Sequence, residues 1–218
     1  MSAVTTRGGL AGLVAVLAVV LPSVAFAQQS APPSRTALLK RTGIFLGGAA
    51  AGLGIHESGH VLFGAALGAH PSVVRINYGG VPFFAIHHDD VPRRREFVIS
   101  SAGFWMQHAG SEWLLSARPH LKDERAPFAK GIFAFNLGTS FVYAASAFGR
   151  FGPSERDPRG IAASLGRRGV PEPVVGGLVL APALLDWYRY KHADPRAARW
   201  ASRGAKLAAV FLTLAAGR

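Results

Sequence analysis

The chain has 218 residues, half of them hydrophobic and only 17% charged, with a formal net charge of +12. That charged share is well below the roughly 25% of soluble globular chains. The apolar residues are gathered into runs and the basic ones lie between them, where anionic lipid head groups would be met, so the composition points to a membrane protein. No nucleic-acid motif accompanies the basic charge. With no cysteine in the chain, disulfides are excluded and any metal site must use His, Asp or Glu.

Residues 1–27 have the three parts of a secretory signal. Arg7 charges the start, Leu10 to Leu21 are apolar, and Ala25-Phe26-Ala27 is a small-x-small cleavage site. Residues 28–41 read as a polar, Pro-containing linker, and 42–218 as a helical membrane domain. Its first run, Thr42 to Ala69, makes a helix of about 42 Å, enough to span a ~30 Å hydrocarbon core. Val73, Val74 and Ile76, then Gly79-Gly80, then Val81 to Ile86 predict a short β-hairpin at the membrane surface. Phe97 to Ala117 and Gly131 to Gly149 are two further spans. Val174 to Tyr190 is a fourth, interrupted by Pro182. Leu207 to Gly217 is too short to span and is expected in the interface or against the bundle. The expected fold is therefore an all-α polytopic membrane protein. It is a bundle of about four transmembrane helices with one surface hairpin, multi-pass in a bacterial-type inner membrane.

The first run holds an anomaly. GLGIHESGHVLFG, residues 52–64, carries His56, Glu57 and His60 in the middle of an apolar helix. Ionisable groups in a spanning helix cost on the order of 3 kcal/mol each on insertion scales, and default to a functional reading. His56 and His60, four apart, lie on one helix face and can reach one ion. The spacing is HExxH, in which two His bind zinc and the Glu takes a proton from water. The bland account is a polar helix–helix contact. A di-iron site is disfavoured because no second ExxH is present to supply the other half.

HESGH inside a predicted span, flanked by Gly residues and followed by a hairpin-like loop, resembles the site-2-protease type of intramembrane zinc metalloprotease. The resemblance covers mainly residues 44–90 and more loosely 131–165. It implies zinc held by His56, His60 and an Asp from a later segment, with Glu57 as general base. It also implies a transmembrane protein as substrate, with membrane lipid around the enzyme. The family pattern ends an Asn-containing helix in Asp-Gly, which this chain lacks. Asn136 resembles the family's Asn, and would steady the substrate backbone. Asp157 resembles the family's Asp, 21 residues further on. Asp186 stays open as a rival third ligand. His87-His88-Asp89-Asp90 is expected to be a solvated turn. His108 and Glu112, also four apart, are expected to pair or to line a water path. The alternative to a protease is a non-catalytic membrane protein of the same fold that binds a partner or a metal ion.

Overall fold

The computed structural model describes residues 34–78, 81–165 and 169–216. The predicted signal, residues 28–33 of the linker and the Gly79-Gly80 turn lie outside the described residues. Among those described there are six helices and one two-stranded sheet. In chain order they are α1 (Arg35–Ala66), β1 (Ser72–Tyr78), β2 (Val81–His87), α2 (Arg93–Ala117), α3 (Pro127–Gly149), α4 (Asp157–Ser164), α5 (Glu172–Lys191) and α6 (Arg196–Ala216).

The end of the predicted linker is helical instead. Ser34 caps α1 by accepting a bond from the Ala37 amide at 3.2 Å, and Ala37 to Lys40 are good helix formers. The strands pair antiparallel from Ser72 opposite His87 to Tyr78 opposite Val81, as the apolar runs flanking two glycines predict. α5 runs unbroken through Pro182. Its buried proline is accommodated where an interruption was expected.

α1 is built on a ridge. Gly48, Gly52, His56, His60 and Gly64 recur every fourth residue and are all buried. A fourfold spacing winds slowly round a 3.6-residue helix. The glycine end of the ridge therefore meets α3, and the histidine end meets α2. A methyl group on Gly52 would come 2.9 Å from the Phe135 ring, and one on Gly59 2.7 Å from the carbonyl carbon of Ala102. Only glycine admits this approach of backbones.

Two apolar cores lie along α2. One joins Phe97 and Phe104 to Ile161, Leu165, Val175 and Val179, and so fastens α4 and α5. The other joins Leu114, Leu115 and Leu121 to Phe133, Leu137 and Ala183. Between them is a buried polar layer of Gln107, Ser111, Asn136 and Ser140, reached by His56 from α1. Of the four expected spans, only that in α3 is long and apolar enough, among the described residues, to cross a membrane by length and composition. α1 and α2 have the length. Glycines and the His pair dilute α1, and Arg93 to Glu96, Gln107, His108 and Glu112 dilute α2.

Candidate metal centre

The HExxH helix brings His56 and His60 to one point on the ridge. The Asp157 carboxylate meets them there, delivered from the far half of the chain. Asp157 Oδ2 is 3.1 Å from His56 Nε2 and 3.4 Å from His60 Nε2, and the two Nε2 atoms are 3.3 Å apart. These three residues form a group able to hold a metal ion.

The return of Asp157 is a matter of backbone. α3 ends at Arg150 in the left-handed conformation (φ 53°), and Gly152 follows at φ 108°, a region that favours glycine. The chain reverses there, and Asp157 becomes the first residue of α4, with Pro158 beside it. Pro is well suited to a first turn, and an acidic side chain is favoured at that end of the dipole. Arg156 locks the bend by donating to Pro153 O at 2.9 Å and to Glu172 Oε2 at 2.6 Å.

The protons of the imidazoles can be assigned from their partners. His60 Nδ1 is 2.8 Å from the Ile99 carbonyl oxygen, which only accepts, so Nδ1 donates. His56 Nδ1 is 3.1 Å from Gln107 Oε1. The Gln107 amide cannot be turned round, because its nitrogen donates to Asn136 O at 2.7 Å and to Ser140 Oγ at 2.6 Å. Its oxygen must therefore face His56 and accept. Both rings carry a proton on Nδ1, facing away, and turn Nε2 towards Asp157.

Burial alone would raise the Asp157 pKa, but a proton on the facing His60 or His56 outweighs it and holds the carboxyl well below the usual range. Without that proton, three acceptors converge. A proton would satisfy one pair, whereas a metal ion satisfies all three. The separations also suit an ion: tetrahedral bonds of about 2.05 Å imply ligand–ligand edges of about 3.3 Å. Gly103 leaves the room. A methyl group there would come 2.6 Å from His56 Nε2 and closer still to His60 Nε2. Ring tautomers fixed from behind are the usual support of ligating histidines.

Glu57 is half-buried, in the fields of His56, His60 and Asp157. No hydrogen bond occupies its carboxylate among the described residues. Asn136 is 2% exposed. Its amide nitrogen donates to Gln107 O at 3.1 Å and Ser111 Oγ at 2.9 Å. It thus stands behind Gln107, bonded to its main chain. Asp186, the rival ligand, is held elsewhere by Ser202 Oγ at 2.6 Å and Lys206 at 2.9 Å. Glu112 does not pair with His108: it binds Arg189, Arg203 and Lys206, while His108 faces Phe104. His88 meets Glu96 and Asp89 meets His70, so the 87–90 cluster forms separate pairs.

Gln107, the Ile99 carbonyl and Gly103 are the members of the site that sequence reasoning missed. A glutamine in an apolar run beside His108 was the one visible hint. Comparison of the chain with protein-family models, with characterised proteins and with solved structures finds no match.

Proposed function

We propose that the chain is a multi-pass membrane metalloprotease of the site-2-protease type, with zinc held by His56, His60 and Asp157. The single observation that carries this reading is the convergence of three ligand atoms, two of them on imidazoles whose Nδ1 protons are held from behind by Gln107 and Ile99. Two His and one carboxylate are the donor set of zinc hydrolases, which leave a fourth position open. Zinc bound there would supply a hydroxide nucleophile at neutral pH and polarise the scissile carbonyl.

The residues of this chain do the rest. Glu57 accepts a proton from the attacking water and later gives it to the leaving amine. Asn136 and Ser140 hold Gln107, which keeps the His56 ring in place. β1 and β2 offer strand edges to an unwound peptide, a contact that gives backbone bonds without sequence choice. The substrate is a membrane-embedded protein segment, whose helix must unwind because its backbone is otherwise fully bonded.

The membrane part of the reading is supported by the distribution of polarity. Leu39, Leu62 and Phe211 are 72%, 59% and 65% exposed, while His56, Gln107, Asn136 and Ser140 are buried. Arg93 to Arg95 open α2, and exposed Trp113 stands near its other end. Arg95 and Trp113 are about 27 Å apart along the axis, close to the ~30 Å of a hydrocarbon core. Trp187, Tyr188 and Trp200 are also exposed, on the helix ends that the ion pairs of Arg189 and Arg203 bring beside Glu112. Such aromatics mark a membrane–water interface. Gly103 lies about 12 Å from Arg95 and about 15 Å from Trp113, so the metal ligands belong near mid-depth. On the signal-like sequence of residues 1–27, the membrane is a bacterial-type inner membrane.

The test is zinc content and peptide cleavage by detergent-purified protein, wild type beside Glu57→Gln. The expected result is about one zinc per chain in both and cleavage only in the wild type. Wild-type protein without metal would remove the enzyme reading. Zinc lost together with cleavage in Glu57→Gln would remove the role given to Glu57.

A further inference from the structure

α3 carries three polar side chains along one face: Asn136, Ser140 and Tyr143. The first two reach His56 indirectly, through Gln107, on the Nδ1 side of the ring. Tyr143 comes one turn later and lies against the ring itself. The two ring planes are 13° apart, with centroids separated by 6.0 Å. Phe104 closes the other side, edge-on to Tyr143 at 5.3 Å and edge-on to His56 at 5.5 Å. The tyrosine is thereby fixed against a metal ligand by two aromatic contacts.

Among the described residues, two polar atoms on this face have no bond inside the bundle, the Tyr143 hydroxyl and the buried Asn136 Oδ1. The Asn136 and Ser140 side chains donate to the Gln107 backbone, to Ser111 and to a carbonyl of their own helix. Among the described residues no partner bonds the Tyr143 phenol. It lies in the fields of Asp157 and of Glu57 together, the two carboxylates that border the reacting position. Peptide hydrolysis needs a donor where negative charge appears, aimed at the former carbonyl oxygen and already in place when the charge forms. A phenol O–H meets that need.

We propose that Tyr143 is a catalytic residue, donating a hydrogen bond to the carbonyl oxygen of the scissile amide as that oxygen becomes anionic. This rests on the metalloprotease reading above. The water oxygen bonds to the carbonyl carbon, its proton goes to Glu57, and the carbonyl π pair moves onto the oxygen that Tyr143 bonds. The pair then returns, the C–N bond breaks, and the Glu57 proton goes to the leaving amine.

The test compares zinc-loaded wild type and Tyr143→Phe in detergent for binding of two apolar Ala/Leu peptides. One carries a tetrahedral phosphinate in place of the central amide, and the other a trans-alkene, which has no oxygen to accept a bond. Wild type is expected to prefer the phosphinate. Tyr143→Phe is expected to keep one zinc per chain, bind the alkene peptide unchanged, and bind the phosphinate at least tenfold more weakly. With a cleavable peptide, kcat falls on the order of 100-fold with KM nearly constant. A variant that keeps the full phosphinate preference overturns the proposal. So does one that loses zinc or weakens both peptides alike, since that is packing on His56. A wild type with no phosphinate preference sinks the metalloprotease reading itself, independently of Tyr143.

Discussion

Two buried polar clusters sit side by side in this chain. Along α2, Gln107 of one and Glu112 of the other are only about 7.5 Å apart. The cluster around Arg189 is closed. Arg189 is 0% exposed, and its guanidinium reaches Glu112, Asp186 and Asp194 at 2.5, 3.3 and 2.6 Å. Arg199, Arg203 and Lys206 neutralise the same carboxylates. Cations alternate with anions, and α6 is pinned to α2 and α5. The cluster around His56 is open. Its donors face outward to Gln107 and Ile99, and its acceptors face one another. Both clusters contain buried ionisable groups. Only one brings together three residues able to hold a metal ion.

The sharpest way to break this comparison is Asp157→Ala. It is expected to reduce zinc from about one per chain to under a tenth, read by mass spectrometry of the purified protein, with helix content unchanged by circular dichroism. Gly103→Ala should do the same through a single methyl group. Zinc retained in both would mean that the open cluster is not a metal site.

Arg189→Met acts on the other side. It leaves three carboxylates short of their shared cation, and breaking a buried pair typically destabilises by about 3–5 kcal/mol. Thermal unfolding in detergent measures this, and zinc in the folded fraction should not change. A parallel loss of zinc would show that the two clusters are coupled.

Gln107→Leu is a finer cut. It removes the acceptor that fixes the His56 tautomer, and losing such a partner weakens metal binding by roughly 10- to 100-fold. Competition with a chelator reads it out. Unchanged affinity would mean that the Nδ1 bond does not hold the ring.

The smallest effect is expected at His70→Ala. His70 and Asp89 are 80% and 67% exposed, and surface changes of this kind stay within about 0.5 kcal/mol. A larger fall in unfolding temperature would give the base of the hairpin a structural role.

The open cluster was largely legible in the sequence. HExxH is a local pattern, and helix periodicity alone sets His56 beside His60. Asp157 was reachable because the resemblance to the site-2-protease type implies a third, acidic ligand after an Asn-containing helix. The support of the site was not legible. Gln107 holds His56 across 51 positions and Ile99 holds His60 across 39. One of these contacts uses a main-chain oxygen, which no side-chain pattern encodes. Asn136 was reached through the same resemblance, and its partners Gln107 and Ser111 on another helix were not legible. The closed cluster defeated local reasoning altogether. Glu112 sits four residues after His108, yet its partner Arg189 lies 77 positions away. Helix extents were readable because apolar runs persist. The continuity of α5 through Pro182 was not, because packing overrode a local breaker.

The wide separation of the ligands has a consequence in time. His56 and Asp157 are 101 positions apart in the chain. At about 5–20 residues per second of synthesis, the histidines precede the carboxylate by roughly 5–20 s. Throughout that interval α1 can be inserted and folded, yet one ligand of three is missing and no hydrolytic centre exists. On the metalloprotease reading proposed above, the enzyme would be inert while it is made. It would spare the translocation machinery and its own nascent chain, and a product truncated before residue 157 would never become active.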